Sequence, residues 1–118
     1  MKKIIIGLAW AWASTLVAQV SPKTHTLLTD IAYADTGNSR HSLDVLLPLH
    51  PTQQKLPVVV YIHGGGWRGG SKATGGLLLQ SILTQDFVGV SINYRLSSEA
   101  TWPAQIHDCK AAIRWLRA

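Results

Sequence analysis

The chain has 118 residues, 47% of them hydrophobic and 14% charged. That composition leaves room for one domain and excludes a disordered chain. The formal charge of +5 is scattered, with no run formed by Arg40, Lys55, Arg68 and Arg95, so nothing points to a nucleic-acid partner.

The first residues read as a leader. Met1-Lys2-Lys3 is a short positive region, Ile4 to Trp12 is apolar, and small residues follow at Ala11, Ala13, Ser14 and Ala18. This is the pattern of a secretory signal peptide over residues 1–18, with Ala13 as the alternative cleavage point. The product is expected to be exported, to a periplasm or to the medium. The rival reading, a stable membrane anchor, needs about 20 mainly apolar residues. Ser14, Thr15 and Gln19 interrupt that stretch. Without Lys2 and Lys3, the eleven basic residues fall to nine against six acidic ones, a net +3. The single cysteine, Cys109, can form no internal disulfide, and its helical context marks it as a small core residue ahead of a nucleophile.

Thr24 to Tyr33 has the threonine and aliphatic content of a strand, and Asp35-Thr36-Gly37-Asn38 is a turn cluster. Ser42 to Leu47 resumes as a second strand that stops at Pro48, so the two are expected to form an antiparallel hairpin. After a polar loop, Pro57 punctuates and Val58-Val59-Val60-Tyr61-Ile62 forms a continuous, largely β-branched run. Such a run suits a strand covered on both faces. Thr74 to Gln85 spaces Leu77, Leu78, Leu79, Ile82 and Leu83 as a short amphipathic helix, and Phe87 to Tyr94 is another strand. Strand, helix, strand predicts a right-handed β-α-β unit with parallel strands. Pro103 stands where a first helical turn accepts proline. The helix beyond it is expected to bury Ile106, Cys109, Ile113 and Leu116, leaving His107, Lys110, Arg114 and Arg117 in solvent.

Between the apolar strand and the first helix lies His63-Gly64-Gly65-Gly66-Trp67. Glycines there free the backbone to adopt positive φ and to approach a ligand. A structural turn, a phosphate cradle and an oxyanion hole all use that freedom. The pattern G-x-x-x-x-G-K-[ST] cannot be written across residues 63–76, which weighs against phosphate. His-Gly-Gly-Gly directly after a buried strand is the form in which lipases and esterases supply oxyanion donors.

Three landmarks then resemble one family: Leu43-Asp44-Val45 with Pro48; His63 to Trp67 with Gly70-Ser71-Lys72; and Asn93-Tyr94-Arg95-Leu96 leading through Glu99-Ala100 and Trp102-Pro103-Ala104-Gln105 into the helix from Asp108 to Arg117. The chain resembles the N-terminal part of α/β-hydrolase esterases and lipases, in the branch of bacterial carbohydrate esterases similar to feruloyl and acetyl-xylan esterases (BD-FAE-like). Ser98, where related lipase-like enzymes usually have proline, favours that branch. The resemblance implies an α/β fold consisting of a hairpin, a β-α-β unit and a further helix, a three-layer sandwich left incomplete. It also implies a small-molecule or carbohydrate ester as substrate, and no metal or other cofactor. Oligomeric state is left open.

Carried onto this chain, the resemblance assigns the backbone N–H groups of Gly65 and Gly66 to the oxyanion hole. Gly64 shapes the loop and His63 supports it, in preference to acting as general base. Trp67 is placed beside the site entrance. Arg95 and Asp108, of opposite charge on either side of Trp102-Pro103, are expected to pair and hold the loop to the helix. His25, His41, His50 and His107 lack metal-ligand spacing.

A hydrolase of this kind also needs G-x-S-x-G at a strand-to-helix elbow, then an acid and a histidine. No such elbow occurs in the sequence, and Ser71, Ser81 and Ser91 fall in the loop, the helix and a strand. Residues 19–118 are therefore expected to form a partial domain, truncated before the nucleophile elbow and inactive by itself. The alternative is a short exported protein that binds a sugar or a partner chain without catalysis.

Overall fold

The computed structural model describes residues 24–118, so the expected signal peptide lies outside the described residues. Four strands form one mixed sheet in the order β1-β2-β4-β3. The hairpin pairs β1 (His25–Ala32) antiparallel with β2 (Ser42–Pro48). Their register shifts between Leu28 and Ile31, where Asp30 bulges at φ 58. At the centre, β4 (Val88–Ile92) runs antiparallel to β2 and parallel to β3 (Val58–Ile62), with Val90 opposite both Val45 and Val60.

Alternation along the strands divides the core between two helices. Leu43, Val45, Val90 and Ile92 point to one face, where they pack with Tyr33, Tyr94, Leu96 and with Cys109 and Ala112 of α2 (Ala104–Arg117). Leu46, Gly89 and Ser91 point to the other, under α1 (Ala73–Ile82). There the helix comes very close: a Cβ on Gly75 would stand 2.2 Å from Ser91 Oγ and 2.3 Å from Tyr61 Cδ1. The sheet thus carries a helix on each side, and the β3-α1-β4 unit has the parallel strands that its sequence order predicted.

Three expectations need correction. The apolar strand β3 is not covered on both faces: Val58 is 46% and Ile62 51% exposed. It is an edge of this sheet, with β4 on one side only. Next, α1 ends at Ile82, and of its apolar residues only Leu79 is buried, while Leu77, Leu78 and Ile82 are exposed. Close approach at Gly75 fixes which side faces the sheet, and Leu79, one turn on, shares that side. Lastly, the buried stripe of α2 is Gln105, Asp108, Cys109 and Ala112, with Ile106 exposed. Two polar residues are inward because each has partners there: Gln105 Nε2 donates to the Ala100 carbonyl at 2.8 Å, and Asp108 binds Arg95. A buried polar group is tolerated when it is hydrogen-bonded.

Candidate active site

Where β3 leaves the sheet, the chain turns through residues 63–72 and starts α1. His63 is buried, and its ring stacks on Tyr94 with centroids 4.3 Å apart and planes within 10°. The Tyr94 hydroxyl donates to the His63 carbonyl at 2.7 Å, fixing the strand end. His63 Nδ1 lies 2.8 Å from the Gly64 carbonyl, which can only accept, so Nδ1 carries the proton. That leaves Nε2 as an acceptor, buried and without a partner among the described residues.

Gly65, Gly66 and Gly70 all have positive φ, at 121°, 60° and 92°. The loop folds back on itself so tightly that a Cβ on Gly65 would meet Gly69 O at 2.3 Å, and one on Gly70 would meet Gly64 O and His63 Nδ1 at 2.5 Å. Glycine is required at both positions on grounds of space as well as conformation. Turned this way, Gly65 gives its carbonyl to Arg68 N–H at 3.1 Å, whereas the N–H groups of Gly65 and Gly66 donate to nothing among the described residues. Trp67 follows at φ 59, unusual for a bulky residue, and its carbonyl is held by Ser97 N–H at 2.8 Å. Its indole is 57% exposed and lies 6.2 Å from that of Trp102, itself 66% exposed. Gly64, Gly66, Trp67 and Trp102 line a cavity of about 400 Å³, together with Ile62, Tyr94, Ile106 and Cys109.

Arg95 and Asp108 form a two-pronged pair, Nε to Oδ2 at 2.9 Å and a terminal nitrogen to Oδ1 at 2.7 Å, and Arg95 N–H also donates to Oδ2. Burial would raise the Asp108 pKa, but the hydrogen bonds from Arg95, with His41 nearby, hold it below the usual carboxylate range. His41 Nε2 lies 3.2 Å from Asp108 Oδ1 and its Nδ1 2.6 Å from Thr36 Oγ1. Hydroxyl, imidazole and carboxylate in a row resemble a triad, but both oxygens of Asp108 are engaged by Arg95, and Thr36 Oγ1 accepts from Asn38 N–H inside a turn. The arrangement closes the hairpin. His25 is buried against Phe87 O, and His50 and His107 are exposed. Among the described residues no group of three His, Cys, Asp or Glu side chains could hold a metal ion.

Ser71, Ser81 and Ser91 each have a hydrogen-bond partner. Ser91 Oγ donates to the Lys72 carbonyl at 2.6 Å, Ser81 Oγ to the Leu78 carbonyl at 2.7 Å, and Ser71 Oγ accepts from Ala73 N–H at 3.4 Å. Burial, with the Asp108 charge adding to it, pushes the Cys109 thiol up, away from the reactive thiolate.

Sequence reasoning missed what holds the loop from outside. Arg40 reaches the Gly70 carbonyl at 3.0 Å, Asn93 Oδ1 accepts from Lys72 N–H at 2.7 Å, and Lys72 Nζ reaches Asp30 and Asp44. Asn93 and Tyr94 were conspicuous as a motif, yet their targets are 21 and 31 residues away, and no spacing rule reaches that far.

A strand ending in a glycine turn beside a cavity, with a helix on each side of a mixed sheet, defines the N-terminal part of an α/β-hydrolase. Known proteins agree. A model of the BD-FAE family matches residues 43–118, and the chain belongs to that family, one of carboxylesterases. It is 43% identical over 70 residues to the esterase LipI of Mycobacterium tuberculosis, covering 58% of this chain and 22% of that protein. With LipC of the same organism it shares 41% over 77 residues, 64% of this chain and 19% of that one. Among solved structures, esterase B of Lactobacillus rhamnosis superimposes with a TM-score of 0.74 at 26% identity, over 80% of this chain and 31% of that one. A truncated carbohydrate esterase from gut microbiota gives 0.67 at 36% identity, over 82% and 35%. The chain thus spans about a fifth of the length of these mycobacterial relatives.

Proposed function

We propose that this chain supplies the oxyanion half of a serine carboxylesterase site, with the nucleophile and its acid and base coming from polypeptide beyond these residues. The observation that carries the reading is the pair of amides at Gly65 and Gly66, held at positive φ with no acceptor among the described residues, in a loop whose Gly64 and Gly66 line the cavity. Attack on an ester carbonyl converts its oxygen to an oxyanion, and amides already aimed at that charge stabilise it without reorganising. His63 serves by fixing the loop, since its Nδ1–H is committed to Gly64 O and its ring to Tyr94. The Arg95–Asp108 pair ties the following loop to α2 and takes no part in proton transfer.

The ester is proposed to be an acyl group, acetyl or feruloyl, on a polysaccharide. Resemblance to a carbohydrate esterase supports this, as do the two exposed indoles, which suit the flat face of a ring. Export through the leader at residues 1–18 is consistent with such a substrate.

The test is a chimera in which residues 24–118 replace the matching stretch of LipI. It should hydrolyse 4-nitrophenyl acetate, and Gly65→Ala, whose Cβ would meet Gly69 O at 2.3 Å and push the amide out of place, should lower kcat by about 10²–10³, the usual effect of losing an oxyanion donor. The 118-residue chain alone should not turn over. Turnover by that chain, abolished by Ser71→Ala or Cys109→Ala, would replace this reading with a different nucleophile.

A further inference from the structure

Lys72 is where the glycine loop ends and α1 begins, and it is gripped at every polar atom. Its N–H donates to Asn93 Oδ1 at 2.7 Å, and its carbonyl accepts from Ser91 Oγ at 2.6 Å. Its side chain, 12% exposed, crosses β4 to place Nζ 2.6 Å from Asp44 Oδ1 in β2 and 2.7 Å from Asp30 Oδ1 in β1. Asp44 Oδ1 also accepts from Asp30 N–H at 2.9 Å.

Two features of the sheet are otherwise unfavourable. Asp44 places a carboxylate with only 8% exposure in the middle of β2, and Asp30 is a non-glycine residue at φ 58 in a bulge. A buried carboxylate is costly unless paired, and positive φ strains an ordinary residue. The buried carboxylate of Asp44 finds its reason in the Lys72 ammonium, and Asp30, its side chain 77% exposed, adds a second, solvent-facing contact to the same group. Burial would lower its pKa, but the hydrogen bonds to Asp30 and Asp44 outweigh that and keep it charged.

We propose that Lys72 is a positioning residue for the oxyanion loop, its side chain clamped by Asp44 and Asp30 so that the loop's returning limb forms a fixed floor beneath Gly65. The path is short. Gly69 stands directly under Gly65, and Gly70 stands against Gly64 O and the His63 ring, so movement of Lys72 passes through two glycines to the amides. No side chain between Gly64 and Gly70 is buried, so the loop has no core of its own and is held by its ends and by Ser97 N–H on the Trp67 carbonyl. This inference rests on the oxyanion reading of the loop.

Amide hydrogen exchange on the 118-residue chain tests it. Arg68 N–H, bonded to Gly65 O, and Ser97 N–H, bonded to Trp67 O, report on the loop, and Val90 and Ile92 in the central strand report on the sheet. Lys72→Met strands Asp44 as an unpaired buried charge, so the deciding variant is Lys72→Met with Asp44→Asn, which removes both charges. In it, Arg68 and Ser97 should exchange about tenfold faster or more while Val90 and Ile92 change by less than about threefold, the mark of a local opening. Unchanged loop amides, all four rising by one factor, or a double variant that does not fold would each overturn the proposal, because Lys72 would then serve the sheet as a whole or nothing. If Gly65→Ala leaves kcat of the chimera intact while the loop amides still loosen, the oxyanion reading fails and the clamp stands.

Discussion

Replacing Asp108 by alanine should remove most of what joins the loop after β4 to α2. The carboxylate, 5% exposed, accepts from Arg95 N–H, Nε and a terminal nitrogen, and lies 3.2 Å from His41 Nε2. Breaking a buried pair by deleting one partner typically costs about 3–5 kcal/mol, since the other charge is left stranded. Arg95 is 31% exposed and regains water on one side, which places the loss near the lower end of that range. The Arg95 N–H is also orphaned, at about 1–3 kcal/mol. A net loss of about 4 kcal/mol follows, a large part of the roughly 5–15 kcal/mol that stabilises a domain. Urea unfolding followed by circular dichroism measures it. The pH dependence gives a second check. Because the folded-state pKa is depressed, the stabilisation is present above the unfolded value, about 3.9, and disappears as pH falls through the folded one. Wild type and variant should therefore differ fully at pH 7 and converge in acid below about pH 4. A difference under about 0.5 kcal/mol at pH 7, the size of an ordinary surface substitution, would refute the reasoning.

Other outcomes follow from the same geometry. Gly75→Ala forces a Cβ to within 2.2 Å of Ser91 Oγ and should lift α1 from the sheet, at about 1–3 kcal/mol of stability by thermal unfolding. Gly70→Ala is crowded by backbone and also sits at φ 92, so the chimera should lose kcat with little change in far-ultraviolet dichroism. Cys109, buried with its thiol pushed up, should resist Ellman's reagent at pH 8 in the folded chain and react at once in urea. A fast native reaction would show that the α2 face is open.

The landmarks were legible where local pattern and local structure coincide. Val58 to Ile62 could only be a strand, and three consecutive glycines after it could only be a turn with unusual φ. Asp108 showed its charge in the sequence, and its opposite number Arg95 was near enough to guess. By contrast, the buried sides of the helices were only partly legible: in α2, Cys109 is buried and His107, Lys110, Arg114 and Arg117 are exposed as expected, while Ile106 is exposed. Ile106 looked like core by spacing, but spacing weighs apolar residues alone, and in α2 the hydrogen bonds of Gln105 and Asp108 turned those residues inward instead. In α1 the choice belonged to Gly75, whose missing side chain lets the helix settle on Ser91.

What the sequence determined by itself was the order of the elements, the hairpin, the parallel unit and the place of the glycine loop, because each depends on neighbours a few residues apart. Tertiary structure decided the rest: that the Gly65 and Gly66 N–H groups meet no acceptor among the described residues, that Tyr94 and Arg40 hold their loop, and that Lys72 meets Asp44 and Asp30. Those partners come from strands 28 and 42 residues away in sequence from Lys72. Only the pairing of β1, β2 and β4 brings them to one spot, and a charge on its own carries no mark of which opposite charge it will meet.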